Sequence, residues 1–284
     1  MKRLLCGITA AALAFLGGCT KKAEHTDISE VQGGTTVYCF QAGKADAHLI
    51  YNDECAVLID CGEKGFGKHI TAYMEEHGIE SLDYLIITHF DKDHVGGAAK
   101  VMREMEIGAV LQSNSPKESE EYTEYTEQLA ASKLEPVTVR ERMSFTVGGM
   151  EVTVDPPVQE EYAEDPSNNS SLITEISIGE KAMLFAGDAQ DERLAEYTSA
   201  NDKHYDFLKV PYHGHYQKNL QAFVKDVRPS LAVITSSEEE PEDDDTVKIL
   251  EHEGAEVFMT REAPVLVRCD GTKIACAYEE ESVG

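Results

Sequence analysis

Two histidines and two aspartates fall within six residues of one another, in the stretch Thr88-His89-Phe90-Asp91-Lys92-Asp93-His94-Val95-Gly96-Gly97. Imidazole nitrogen and carboxylate oxygen together suit borderline-hard divalent metals. The apolar run at 82–87 just before them reads as a short buried strand. Gly96-Gly97 then reads as a tight turn into a helix over 98–105. A merely solvated polar loop would not need this context, and burying two carboxylates with two imidazoles is costly unless something pairs with them.

Two further positions share this placement. Asp188 follows the apolar run 182–185 behind Gly187, and His213 and His215 follow the run 207–210. Residues just past the ends of neighbouring buried strands can converge on one point, which makes Asp188 and at least one of these histidines candidate ligands. Asp188 also sits where it would N-cap a helix over 189–200. His25, His48, His69, His77, His204 and His252 lack such company and read as surface residues or as supports behind the ligands.

The elements that must position these groups alternate in kind. Strands are expected at 35–40, 47–51, 55–59, 82–87, 109–112, 137–139, 143–147 and 150–154. Further strands are expected at 172–178, 182–185, 207–210, 231–235, 257–259, 265–269 and 273–278. Helices are expected at 66–77, 98–105, 119–134, 189–200, 220–227 and 245–253. Gly148-Gly149 and Gly179-Glu180 read as hairpin turns. A β-rich start, a βαβα section, a second β-rich section and a closing βαβαβ suggest two sheets face to face with helices outside. That is an α+β, four-layer αββα sandwich. No linker or short repeat divides residues 35–284, which read as one domain.

The N-terminus reads as an address. Lys2 and Arg3 precede a short apolar run over 4–16, too short to span a bilayer as an ordinary helix. Leu16-Gly17-Gly18-Cys19 resembles the lipobox of bacterial lipoproteins. That resemblance implies cleavage after residue 18, lipidation of Cys19, a polar tether to residue 34 and an extracytoplasmic, lipid-anchored domain. The chain carries a formal net charge of −28. Such a charge repels polyanions at long range and argues against a broad nucleic-acid surface. It leaves room for a local anion site, because a metal dominates the field in its own pocket. The acidic run 238–245 reads as a solvated lead into a helix, without the oxygen-ligand spacing of a calcium loop. Apart from Cys6 and Cys19, the cysteines are Cys39, Cys55, Cys61, Cys269 and Cys276. There is no C-x-x-C pair, and the odd number leaves room for a single disulfide but not a framework.

Taken together, Asp60-Cys61-Gly62, His89-x-Asp91-x-Asp93-His94-x-Gly96-Gly97, Gly187-Asp188 and His213-Gly214 resemble the metallo-β-lactamase superfamily. The likeness runs from about 35 to 278. It is stronger to the subfamily that includes the ComEC-type extracellular hydrolase domain. Asp91, Asn168-Asn169-Ser170-Ser171-Leu172, Lys209-Val210-Pro211-Tyr212-His213-Gly214 and Gly43-Lys44-Ala45-Asp46-Ala47 carry that likeness. Tyr212 and His215 depart from it, and with no channel helices a DNA-uptake role does not carry over. The resemblance implies one metal on His89 and Asp91, a second on Asp93, His94 and His213, and Asp188 bridging. Asn168 or Asn169 stands where a mid-chain histidine is usual, so the first position should bind more weakly. The cofactor implied is one or two divalent ions, zinc or manganese. Asp93 would orient the attacking water. Asn169, Ser171 and Lys209 would contact substrate, and His215 would donate a proton to the leaving group. The expected activity is hydrolysis of a phosphoester or phosphodiester in a small or short substrate. The alternatives are a lactone- or thioester-type hydrolase, or an inactive binding module of the same fold. The missing histidine disfavours β-lactams.

Overall fold

The computed structural model describes residues 27–279; the lipobox and Cys19 lie outside the described residues. Strand alternation organises the domain. In β1 (Thr35–Cys39), Val37 and Cys39 face one way and Tyr38 the other. In β3 (Ala56–Ile59), Val57 and Ile59 face inward while Ala56 and Leu58 face out. Every strand with two apolar faces needs a layer on each side, and the chain supplies them.

The first sheet has eight strands. They are β1, β2 (His48–Tyr51), β3, β4 (Ser81–Ile87), β5 (Glu106–Gln112), β6 (Val137–Thr138), β14 (Val265–Cys269) and β15 (Ile274–Tyr278). Their order is β15-β14-β1-β2-β3-β4-β5-β6. The second sheet has seven: β7 (Met143–Val147), β8 (Met150–Asp155), β9 (Ile173–Ile178), β10 (Lys181–Phe185), β11 (Phe207–Lys209), β12 (Leu231–Ile234) and β13 (Glu256–Met259). Their order is β13-β12-β11-β10-β9-β8-β7. The core between the sheets includes Ile50, Ile86, Leu111, Val152, Ile176, Met183, Phe207 and Val233.

Helices α1 (Gly67–Glu76), α3 (Ala98–Glu104) and α4 (Glu120–Ser132) cover the outer face of the first sheet, through Ile70, Met74, Val101, Met102, Tyr125 and Leu129. Helices α6 (Asp191–Ala200), α7 (Leu220–Val227) and α8 (Asp244–His252) cover the second, through Leu194, Tyr197, Phe223, Val224 and Leu250. Burying one such Leu, Val, Ile, Met or Phe side chain contributes about 1.5–3 kcal/mol. The fold is therefore the αββα sandwich that the alternation of elements predicts. One-turn helices α2 (Lys92–Val95) and α5 (Pro166–Asn169), both at the site, are shorter than periodicity can reveal.

Strand direction places the site. Pairing from β3 through β4 to β5 is parallel, and so is pairing from β10 through β11 to β12. The C-terminal ends of these strands therefore come to one edge, where open α/β sheets gather their ligands. No helix among the described residues is long and apolar enough to cross a membrane. The five cysteines after Cys19 are free, buried thiols, so no disulfide forms among the described residues.

Candidate metal centre

Each candidate ligand stands just past a strand end. Past β4 come His89, Asp91, Asp93 and His94; past β10, Asp188; past β11, His213. Asp60 follows β3 in a left-handed conformation, φ 57°. Tyr212 and His213 are also left-handed, at 49° and 54°, which bulky residues adopt at a cost of order 1–3 kcal/mol each. That turn lies against the Gly187 loop, with Tyr212 N–H donating to the Gly187 carbonyl at 3.3 Å.

Gly96 and Gly97 have ordinary right-handed φ values of −58° and −84°, so conformational freedom is not why they are needed. Close approach is the reason. A Cβ on Gly97 would stand 2.1 Å from the Cys61 carbonyl oxygen, and one on Gly96 would stand 2.5 Å from the Lys64 nitrogen. The two glycines press the ligand loop against the Asp60–Lys64 turn.

Five of the six sequence-predicted ligands come together, all buried: His89, Asp93, His94, Asp188 and His213. Asp188 Oδ2 lies 3.2 Å from His94 Nε2 and 3.0 Å from His213 Nε2. Asp93 Oδ2 lies 3.6 Å from His213 Nε2. His89, His94 and Asp188 form one grouping of ligand-grade atoms, and Asp93, His94 and His213 another.

The imidazoles are aimed by their other nitrogens. His94 Nδ1 bonds Asp60 Oδ2 at 2.8 Å, and Thr88 donates to that carboxylate from its hydroxyl and its backbone N–H. His213 Nδ1 lies 3.1 Å from the Thr235 hydroxyl, which donates to Asp46 at 2.7 Å. His89 Nδ1 meets the hydroxyls of Thr88 and Ser171 at 3.2 and 3.4 Å. What remains is His89 Nε2, His94 Nε2, His213 Nε2 and Asp188 Oδ1, each buried without a hydrogen-bond partner. Buried polar atoms rarely stay unpaired. Three inward Nε2 atoms held by outer partners around a carboxylate fit a divalent metal ion. Burial pushes the Asp188 carboxyl up, but His213 and His94 outweigh it and hold it well below the usual carboxylate range. Burial, together with His94, pushes His89 below the usual histidine range and favours the neutral ring that a metal requires.

Other expected roles move. Asp91 lies at the edge of the cluster, held by Lys117. Lys209 is fully buried and paired with Asp46, and it donates to the Gly187 carbonyl at 3.1 Å, so it supports the site from behind instead of reaching substrate. Burial pushes its pKa down, but Asp46 and Asp188 outweigh this and keep it charged. Ser171 is also fully buried, and its hydroxyl accepts from Asp188 N–H at 3.1 Å, which fixes the ligand's backbone.

Asn169 turns away from the cluster. Its side-chain oxygen accepts from the backbone N–H groups of Gln190 and Arg193, both at 3.1 Å, and so caps α6. Asp188 therefore does not cap that helix, which starts at Asp191. Asn169→Ala should lower stability by about 1–2 kcal/mol through the lost cap, read as a shift in the denaturation midpoint. His215 lies two residues past His213, one-third exposed and 3.8 Å from Asp243. His48, read as a surface or supporting residue, is buried beside Asp46 at 3.8 Å. Asp46, Asp60, Thr88 and Thr235 were missed as supports. The strand-end rule that finds the ligands also points to Asp60, Thr88 and Thr235.

The chain is 27% identical to ComE operon protein 3 of Bacillus subtilis over 176 residues, 60% of this chain and 22% of that protein. It is 24% identical to Recombination protein 2 of Haemophilus influenzae over 210 residues, 70% of this chain and 24% of that one. The matched region thus spans only about a quarter of either relative. The solved metallo-beta-lactamase fold protein YhfI from Bacillus subtilis superposes with a TM-score of 0.55 at 12% identity, covering 79% of this chain and 95% of that one, a likeness of fold. The profile described as Metallo-beta-lactamase superfamily matches residues 41–235. That span runs from the turn before Asp46 to Thr235 and takes in both groups of strand ends and every residue that aims or completes the cluster; the chain belongs to the metallo-beta-lactamase superfamily.

Proposed function

We propose that the chain is a metal-dependent phosphoesterase or phosphodiesterase, held outside the cytoplasmic membrane by a lipid on Cys19. One observation carries the metal-dependent part: three imidazoles turn buried Nε2 atoms that make no hydrogen bond towards Asp188, whose carboxylate lies 3.2 and 3.0 Å from two of them. The resemblance of Asp91 and of the 168–172 and 209–214 segments to the ComEC-type extracellular hydrolase domain supports the phosphodiester part. The net charge of −28 favours a short or small substrate over a long polyanion. A mixed set of imidazoles and carboxylates suits zinc or manganese.

A divalent ion in such a centre supplies Lewis acidity and a bound water whose pKa falls towards ~7. The chain's own groups divide the remaining work. Asp93 Oδ2 faces the same space as His213 Nε2 and would orient the attacking water as a hydrogen-bond acceptor. Burial raises the Asp93 pKa, but His213 and His94 outweigh it and keep the carboxylate ionised. Lys44, 3.5 Å from Asp93 and one-quarter exposed, offers a cation to an anionic substrate. His215, two residues past His213 and one-third exposed, would return a proton to the leaving group.

The test is turnover by the manganese- or zinc-reconstituted chain on four substrates: a bis-aryl phosphate, a short single-stranded oligonucleotide, a lactone and a β-lactam. Metal-dependent hydrolysis of a phosphodiester, with no β-lactam turnover, is the expected result. Lactone hydrolysis with inert phosphodiesters would overturn the reading in favour of a carboxyl-ester or thioester hydrolase.

A further inference from the structure

Asp91 is treated differently from every other candidate ligand. Its Oδ1 accepts from the Lys117 ammonium at 2.6 Å and from the Ser167 hydroxyl. The same oxygen is the one that approaches His89 Nε2, at 3.8 Å. The carboxylate oxygen turned towards the first metal position is therefore already held by a cation. None of the ligand-grade groupings among the described residues includes Asp91; they draw on His89, His94, Asp188, Asp93, His213, Asp46 and Asp60.

The two holding groups come from separate segments. Lys117 lies between β5 and α4, and Ser167 lies in α5, whose lead-in residue Asp165 is left-handed at φ 42°. The Lys117 side chain is 40% exposed and that of Asp91 24%. An ammonium at that depth can swing into water at modest cost, so the contact can open without unfolding anything.

We propose that Lys117 and Ser167 form a latch on Asp91 that competes with a metal ion, so that the centre keeps one ion tightly and takes a second only when Lys117 lets the carboxylate go. This rests on the metal-centre reading above and adds a control on how many ions are bound. The first ion would be held by groups that the latch does not touch: His94, His213, Asp188 and Asp93. The second step would depend on displacing an ammonium from Asp91, so it would lie at higher free metal.

The test is equilibrium dialysis of the full chain against graded free manganese. Metal per chain is measured directly, and electron paramagnetic resonance separates isolated from coupled ions. Wild type should fill in two well-separated steps. Lys117→Met should tighten the second step about tenfold and leave the first unchanged, and Ser167→Ala should move it the same way by less. A second step that is unchanged or weaker in Lys117→Met, with the first step intact, would overturn the latch alone. A chain that retains neither manganese nor zinc would overturn the metal-centre reading along with it.

Discussion

Asp188→Asn should abolish metal-dependent turnover and strip the centre of its ion in one step. The carboxylate sits between His94 Nε2 and His213 Nε2 at 3.2 and 3.0 Å, and its second oxygen is buried without a hydrogen bond, 3.7 Å from the Lys209 ammonium. Asparagine keeps the shape but removes the charge that draws both imidazoles and the ion together. Residues that only orient a ligand cost 10–100-fold in affinity or activity when lost. A residue at the centre should cost more than about 100-fold in kcat/KM on the phosphodiester. Metal content after dialysis and kcat/KM are the two readouts. A variant with full metal and wild-type kcat/KM would show that Asp188 is not a ligand.

Lys209→Met should be the most destabilising single change near the site. Lys209 and Asp46 are both buried, at 0% and 1% exposure. Removing one partner of such a pair leaves an uncompensated buried charge and costs about 3–5 kcal/mol. In a domain of this size that lowers Tm by roughly 10 °C. Burial tends to raise the Asp46 pKa, but Lys209 foremost, with His48, His94 and His213, holds it below the usual carboxylate range. A depressed folded-state pKa gives stability that is present above the unfolded carboxylate value and lost as pH falls. Without Lys209, burial acts unopposed by its strongest partner, and Asp46 takes up a proton at higher pH. The stability gap between variant and wild type should therefore narrow on acidification from pH 7 to about 5. Lys209→Met combined with Asp46→Asn should lose less than the sum of the single changes; strict additivity would mean that the two side chains do not act as a pair.

The strand-end rule points to His89, Asp93, His94, Asp188 and His213, which the fold brings together, because each follows an apolar run that has to be buried. The sandwich followed from the order of strands and helices for the same reason. Local pattern does not show which group a side chain meets across the sheets. Thr235 bonds Asp46 across 189 positions of sequence, and Lys209 meets Asp46 from the opposite sheet. The family resemblance implies substrate contacts at Lys209, Ser171 and Asn169. The first two face backward into the network that aims the ligands, and Asn169 is spent on capping α6. The Lys117 contact with Asp91 joins two loops that neither periodicity nor motif spacing relates.

The arrangement explains why so acidic a chain can gather this many carboxylates at one edge. Asp60 is engaged by His94 and Thr88, Asp46 by Lys209 and Thr235, and Asp91 by Lys117 and Ser167. Among the described residues, Asp188, set between His94 and His213, leaves a fully buried carboxylate oxygen without a hydrogen bond, 3.7 Å from the Lys209 ammonium. The outer partners fix orientation, and the inward atoms are left for the ion.

The most direct test of the metal centre is metal analysis of the full chain after exposure to manganese or zinc and exhaustive dialysis, beside a His94→Ala, His213→Ala double variant. At least one ion retained per wild-type chain, and none in the variant, is the predicted result. Equal metal in both, or none in wild type, would contradict the centre described here.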